Sequence, residues 1–216
     1  MTEEPERPAS YREPQQARSA ATLARVLRAA EEIAAASGLE EMTITGVAQR
    51  AGVSVGTIYR RFEDKEQLIT ALTERMLERR EEYVAEQLRT AEPSLPGVMD
   101  AYAHALLQSF ADSSSLFPEL LRMRGTRSLD RGARTITELH RLLLEAAAPY
   151  TDQIRRSQPQ QALDTAARAV LGACFHNSVR PDPATGEVAR RRYADELSDM
   201  AIAYLSTPGR RRSADT

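Results

Sequence analysis

Apolar residues recur along this chain at steps of three and four. Leu23, Val26, Leu27, Ala30, Ile33 and Ala34 form one stripe and predict a helix over residues 19–37. Ser37-Gly38 ends it, with Gly38 suited to the left-handed position after a helix. Leu39 and Met42 precede Thr43, an expected N-cap for a short helix over residues 44–51 with Val47 and Ala48 inward. Gly52 breaks that helix, and Ser54 caps a second short one through residue 61. Asp64 then caps a long helix over residues 65–89, with Leu68, Ile69, Leu72, Met76 and Val84 on one side. Strand-like alternation and hairpin signals are absent.

Pro93 and Pro96 separate this part from a larger second half. There the pattern predicts helices over residues 96–111, 116–124, 128–148, 159–179 and 187–206, with a loop at Pro181-Asp182-Pro183 and Gly186. Residues 1–17 are polar and hold Pro5, Pro8 and Pro14, and read as a disordered arm; residues 207–216 read as a disordered tail. The expectation is an all-α chain in two parts, with residues 18–64 as a helix-turn-helix domain. Residues 65–206 form a helical bundle, and residues 65–89 are its connecting helix.

Composition narrows the function classes. A chain of 216 residues is long enough for a real core without disulfides or metal. Cys174 stands alone, no apolar run is long enough to span a membrane, and residues 1–16 lack a signal-peptide centre. A cytoplasmic location with no membrane partner is expected. The net charge of −2 excludes a bulk polycation but not a local nucleic-acid surface. Residues 1–75 hold ten Arg or Lys against twelve Asp or Glu, so any DNA affinity depends on where the charges lie. Lys65 is the only lysine.

The informative stretch is residues 43–62, TITGVAQRAGVSVGTIYRRF. Two short helices joined by a tight Gly-containing turn make a helix-turn-helix. Ala48 is small where the helices cross, Gly52 permits the turn, Val47 and Val53 fill the space between them, and Ile58 anchors the second helix. Ser54, Val55, Gly56, Thr57, Tyr59, Arg60 and Arg61 are left for its outer side. Hydroxyls at a helix N-terminus donate to phosphate, Gly56 allows close approach, and Arg reads guanine or neutralises phosphate. Tyr59 offers a hydroxyl and a flat face. Lys65 sits at the positive end of the next helix, and Thr43 opens the preceding one. Arg50, Arg60, Arg61 and Lys65 make the candidate basic surface, while Glu31, Glu32, Glu40 and Glu41 are expected to face away.

These residues resemble the TetR family of transcriptional regulators. The resemblance rests on Gly38, Met42-Thr43, Val47-Ala48, Ala51-Gly52-Val53-Ser54, Gly56-Thr57-Ile58-Tyr59, Phe62 and Lys65, and it covers about residues 18–75. Gly46 departs from the family pattern, which has an acidic or polar helix former there; in a first turn the cost is below the ~1 kcal/mol of a mid-helix Gly. The resemblance implies a homodimer on a near-palindromic double-stranded operator and a C-terminal cavity for a small-molecule effector. It also implies a repressor that the effector releases. The implied dimer seam lies on the last two helices, at Ala162, Ala166, Ala169, Ala173 and Asn177 and at Ala194, Leu197, Ala201 and Tyr204. The implied pocket groups are Tyr102, His104, Phe110, Phe117, Met123, His140, Leu143, Cys174, Phe175 and His176.

Other chemistry is thin. His104, His140 and His176 fall on three predicted helices, with no His-x-x-x-His, Cys-x-x-Cys or nearby carboxylate pairing, so neither a metal nor another cofactor is expected. Cys174 and His176 point in different directions on one helix, which discounts a nucleophile pair. Ser113-Ser114-Ser115 reads as a loop. Arg7, Arg12 and Arg18 in the arm are candidates for the minor groove, and Arg210, Arg211 and Arg212 read as a solvated end. Two alternatives keep some of these features: an effector-independent DNA-binding protein with a filled C-terminal core, and a helical enzyme with a vestigial motif. The enzyme needs a clustered acid, base or nucleophile in the C-terminal part that the sequence does not assemble, so no enzymatic activity is expected.

Overall fold

A computed structural model of the chain describes residues 15–111, 126–179 and 186–209. All regular elements among them are helical: α1 (Gln15–Glu41), α2 (Ile44–Ala51), α3 (Val55–Tyr59), α4 (Lys65–Arg89), α5 (Leu95–Ala111), α6 (Thr126–Ala147), a 3₁₀ segment (Ala148–Gln153), α7 (Pro159–Val179) and α8 (Glu187–Ser206). The expected helix over residues 116–124, the Ser113–115 loop, the Pro181–Pro183 loop, Arg7, Arg12 and the Arg210–212 tail lie outside the described residues. Residues 15–17, expected in the arm, are helical and open α1. No described helix is long and apolar enough to cross a membrane.

The chain divides into two compact units, residues 1–69 and 70–216. In the first, the α1 stripe buries Val26, Leu27, Ala30 and Ala34. Gly38 interrupts α1 with φ 87°, a conformation open to Gly and costly for other residues. That bend turns Leu39 and then Met42 into the core, where they are 2% and 0% exposed. Thr43 accepts a hydrogen bond from the Gly46 N–H at 3.0 Å and caps α2. Asp64 caps α4, accepting from the Gln67 N–H at 2.8 Å, while the Gln67 carboxamide accepts from the Glu63 N–H. Leu68 and Ile69 close the core.

In the second unit α5 is the central helix, packed against α6, α7 and α8. Its run of Val98, Met99, Tyr102, Ala103, Leu106, Leu107 and Phe110 is buried, as expected of a helix surrounded by others. Ser94 caps it through the Gly97 N–H. The 3₁₀ segment after α6 is not foreseen by the pattern; Pro149 near its start keeps the α-helix from continuing. Leu143 and Ala147 on α6, Ala167 and Val170 on α7 and Leu205 on α8 complete the core.

Candidate nucleic-acid interface

The turn between α2 and α3 is built by two residues. Gly52 is left-handed (φ 64°, ψ 41°), and its N–H caps the α2 carbonyls of Ala48 and Gln49. Ser54 is extended, and its hydroxyl accepts from the Thr57 N–H at 3.2 Å. Val47, Ala48 and Ile58 are buried at the crossing, while Val53 is only half-buried. A five-residue helix cannot hold itself in water; its cap and the Ile58 anchor hold α3.

The outer side of α3 is a short polar network. The Ser54 and Thr57 hydroxyls lie 2.9 Å apart, and the Arg60 guanidinium donates to the Thr57 hydroxyl at 3.1 Å. Tyr59 is 53% exposed, and Gly56 and Arg60 are exposed beside it. Val55 and Thr57 are half-buried. The Thr57 side chain is therefore engaged along the helix, directing Arg60.

Three of the expected cations are differently placed. Arg61 turns to α1, donating to the Ser19 hydroxyl and, at 3.4 Å, to its carbonyl. Lys65 is half-buried and donates to the Glu40 carbonyl at 2.8 Å. Arg50 pairs with Glu32 at 2.7 Å, so Glu32 does not face away from the basic surface as the sequence suggested. Each is an arginine or lysine whose partner is distant in sequence and brought close by the α1 fold.

Between α1 and α3 lies a cavity of about 430 Å³. Arg18, Ser19, Thr22, Thr57, Arg60 and Arg61 line it above a floor of Leu23, Val26, Ile58 and Phe62. Cations and hydroxyls over an apolar floor suit an anionic oxygen cluster such as a backbone phosphate.

In the second unit the expected pocket residues differ in burial and in partners. Tyr102 and Cys174 are fully buried and close enough for their ionisations to oppose each other. Burial holds the Tyr102 phenol above its ordinary range and pushes the Cys174 thiol up to about 12. Phe110 meets Phe175 edge to face at 6.4 Å, and the buried Arg80 guanidinium lies 4.1 Å over the Phe110 ring. Desolvation brings Arg80 down to about 10, against the opposing pull of Glu81. Leu143 is core. His140 is half-buried and reaches Asp164 at 2.7 Å, a carboxylate that Arg168 also binds. His104 faces Asp195, and His176 is exposed. Phe117 and Met123 lie outside the described residues.

The expected dimer strip is largely turned inward. Ala162 and Ala166 on α7 and Ala194, Leu197 and Ala201 on α8 are buried within the chain's own bundle. Tyr204 is taken by Arg156, whose guanidinium stacks 3.9 Å over its ring and donates to its carbonyl at 2.7 Å. Ala169 is exposed, and Ala173 and Asn177 are half-buried. The outward faces instead show Gly172 and Phe175 on α7 and Tyr193 and Met200 on α8.

Sequence reasoning missed Arg80, Glu81, Arg131 and Thr135. Arg131 donates to Glu81 at 2.7 Å and to the Thr135 hydroxyl, and Thr135 donates to Glu81 at 2.6 Å. The hydrogen bond that Arg131 donates to Glu81 holds the guanidinium above its ordinary pKa. These contacts join α4 to α6, and no local spacing announces them. Asp100 is different: it stands four residues before His104, a helix-face spacing that is legible in the sequence.

The family model described as "Bacterial regulatory proteins, tetR family" matches residues 26–72, the stretch that contains α2, the turn and α3. A comparison with curated protein sequences finds no match. Among solved structures, the chain is similar to a bacterial regulatory protein in the tetR family from Rhodococcus RHA1, with 21% identity over 85% of this chain and 96% of that one, TM-score 0.57. It is similar to SmeT, the repressor of the Stenotrophomonas maltophilia multidrug efflux pump SmeDEF, with 22% identity over 86% and 90%, TM-score 0.57. It is also similar to the fatty acid degradation regulator FadR from Bacillus halodurans, with 16% identity over 84% and 94%, TM-score 0.65. At these identities the structural likeness concerns the fold. Residues 26–72 match the model of the tetR family of bacterial regulatory proteins, and the chain has the all-helical fold of tetR-family structures.

Proposed function

We propose that the chain is a homodimeric repressor that binds a palindromic operator and is released by a small-molecule effector. The observation that carries the reading is the α3 surface, where Tyr59 and Arg60 stand exposed on a capped, anchored helix. Gly56 leaves room beside them for a groove edge. Ser54, Val55 and Thr57 complete the reading face. Thr43, Arg61 and Lys65 flank it as phosphate-side groups, and the cavity between α1 and α3 is where a phosphate is seated.

The homodimer reading is supported by the outward faces of α7 and α8. Phe175 and Tyr193 are each 36% exposed and Met200 is 50% exposed. A Cβ built on Gly172 meets no neighbour within 4 Å, so nothing inside the chain requires glycine there. A glycine on an exposed helix face beside aromatic residues suits close approach of a second helix. The effector reading is supported by the buried Tyr102 hydroxyl, which has no hydrogen-bond partner among the described residues and sits beside Cys174. A ligand's polar atom could meet that hydroxyl.

The test is selection of genomic DNA fragments by the purified protein at stated salt, with sedimentation of the free protein. A short palindrome bound by two chains supports the reading. Fragments without an inverted repeat, or a monomer at micromolar concentration, defeat it. Release of the selected fragment by a compound from a metabolite panel tests the effector step.

A further inference from the structure

We propose that Asp100, His104 and Asp195 form a divalent transition-metal site, with Zn²⁺ the ion favoured by its donors, that clips α5 to α8. The His104 Nε2 atom lies 2.9 Å from an Asp195 carboxylate oxygen and 3.6 Å from an Asp100 oxygen. The three donor atoms all lie within 4.8 Å of one another. A cation bonding at about 2.1 Å sets its ligands about 3.0–3.4 Å apart in octahedral or tetrahedral geometry. The two separations from the imidazole bracket that range, and the two carboxylates, within 4.8 Å of each other, complete the set by side-chain rotation.

The donors come from two helices. Asp100 and His104 occupy successive turns of α5, and Asp195 meets them from α8. An ion held there would link the central helix of the second unit to its last one. The ligands are half-buried to exposed, so an ion can enter from solvent and water can fill the remaining positions.

Charge balance separates this cluster from an ordinary ion-pair network. Elsewhere among the described residues each carboxylate with a recorded ion pair has an arginine partner: Glu32, Glu81, Glu86, Glu138, Glu145, Asp164, Glu187 and Glu196. The comparison with His140 is direct. Its partner Asp164 also binds Arg168 at 2.9 Å, which neutralises the carboxylate. Asp100 and Asp195 have His104 as their recorded ion-pair partner. One imidazole carries at most one positive charge against two negative ones. A bound dication supplies the missing charge, and both carboxylates then keep their bonds.

Donor chemistry selects the class of ion. One imidazole nitrogen with carboxylate oxygens suits zinc, cobalt or nickel better than magnesium or calcium, which prefer oxygen alone. The absence of thiolate disfavours copper(I).

The experiment is calorimetric titration of the full-length, chelator-treated protein with ZnCl₂, repeated with Co²⁺ and followed by visible absorption. The wild type is expected to bind one zinc per chain and to melt at a higher temperature when loaded. His104→Ala and Asp195→Asn are each expected to weaken zinc by more than about tenfold, since loss of an outer-sphere partner alone costs that much. His140→Ala, at the neutralised pair, is expected to leave binding unchanged. Circular dichroism shows whether the variants fold; if His104→Ala does not, His104→Gln with Asp195→Asn takes its place. Wild-type protein that takes up no stoichiometric zinc, or His104→Ala protein that binds as the wild type does, overturns the proposal. In those cases the cluster is an ordinary exposed acidic pair around a histidine.

Discussion

The Lys65 ammonium ends on the backbone carbonyl of Glu40, 2.8 Å away, and so ties the first turn of α4 to the end of α1. Glu40 lies in the short helical stretch after the Gly38 bend, where carbonyls lack intrahelical partners. The single lysine of the chain therefore has a structural bond in addition to its place beside the positive end of α4.

Replacing it separates those roles. Lys65→Met keeps the aliphatic stem and removes the donor. It is expected to destabilise the protein by about 1–2 kcal/mol, the value of a hydrogen bond from a charged group. DNA affinity is expected to fall with it. Urea denaturation reads the first effect and the salt dependence of binding the second. A variant as stable as the wild type would show that the Glu40 contact contributes nothing.

Arg60 and Arg61 are neighbours with different fates. Arg60→Ala is expected to weaken specific DNA binding by about tenfold or more, as loss of a reading or phosphate arginine does. Arg61→Ala is expected to reduce affinity and the salt slope of binding less than Arg60→Ala does, and to cost about 1 kcal/mol of stability through its Ser19 bond. Gel-shift titrations over a salt series measure both. A larger loss of affinity for Arg61→Ala than for Arg60→Ala would reverse the assignment.

Gly97 meets a steric limit. A Cβ on this residue would lie 2.5 Å from the Glu92 carbonyl oxygen and 2.6 Å from the Glu92 Cβ. Backbone must move to admit it, so Gly97→Ala is expected to destabilise by about 1–3 kcal/mol, although alanine is the better helix former. Gly172→Ala is the control. It meets open space and is expected to be neutral or stabilising in the monomeric unit. Thermal melts of the two variants decide the point.

Cys174 predicts a pH dependence. Its thiol is pushed up to about 12 by burial, against about 8.5 for an unfolded cysteine. Below the unfolded value both states hold the proton, and the group does not affect the folding balance. As pH rises above about 8.5 the unfolded chain gains by ionising, and stability falls until the folded value is reached. Cys174→Ala protein is expected to lose less stability between about pH 8 and pH 11 than the wild type. Alkylation of the native thiol at pH 8 is expected to be at least tenfold slower than in urea.

Helix positions are legible here because each stripe has a clear stop. Gly38, Gly52 and the caps at Thr43, Ser54 and Asp64 are local signals, and the structure places elements around all of them. The faces of α7 and α8 are less legible. Both helices carry two stripes of small or apolar residues, and periodicity alone does not say which meets its own bundle. Ala162, Ala166, Ala194, Leu197 and Ala201 went inward because α5 and the facing helix cover them. The fates of Arg61, Lys65 and Arg50 were illegible for another reason: Ser19, Glu40 and Glu32 lie 42, 25 and 18 residues away.

The attachment of α3 bears on how such a protein changes its target. Of its five residues only Ile58 is fully buried, and its cap, Ser54, lies outside the helix itself. The helix is thus held by one apolar peg and one hydroxyl, while Gly56 and Tyr59 are free of core constraints. Drift at these outer positions costs the fold little. On the proposed reading, an operator preference can be rewritten by a few surface exchanges that leave the second unit as it was.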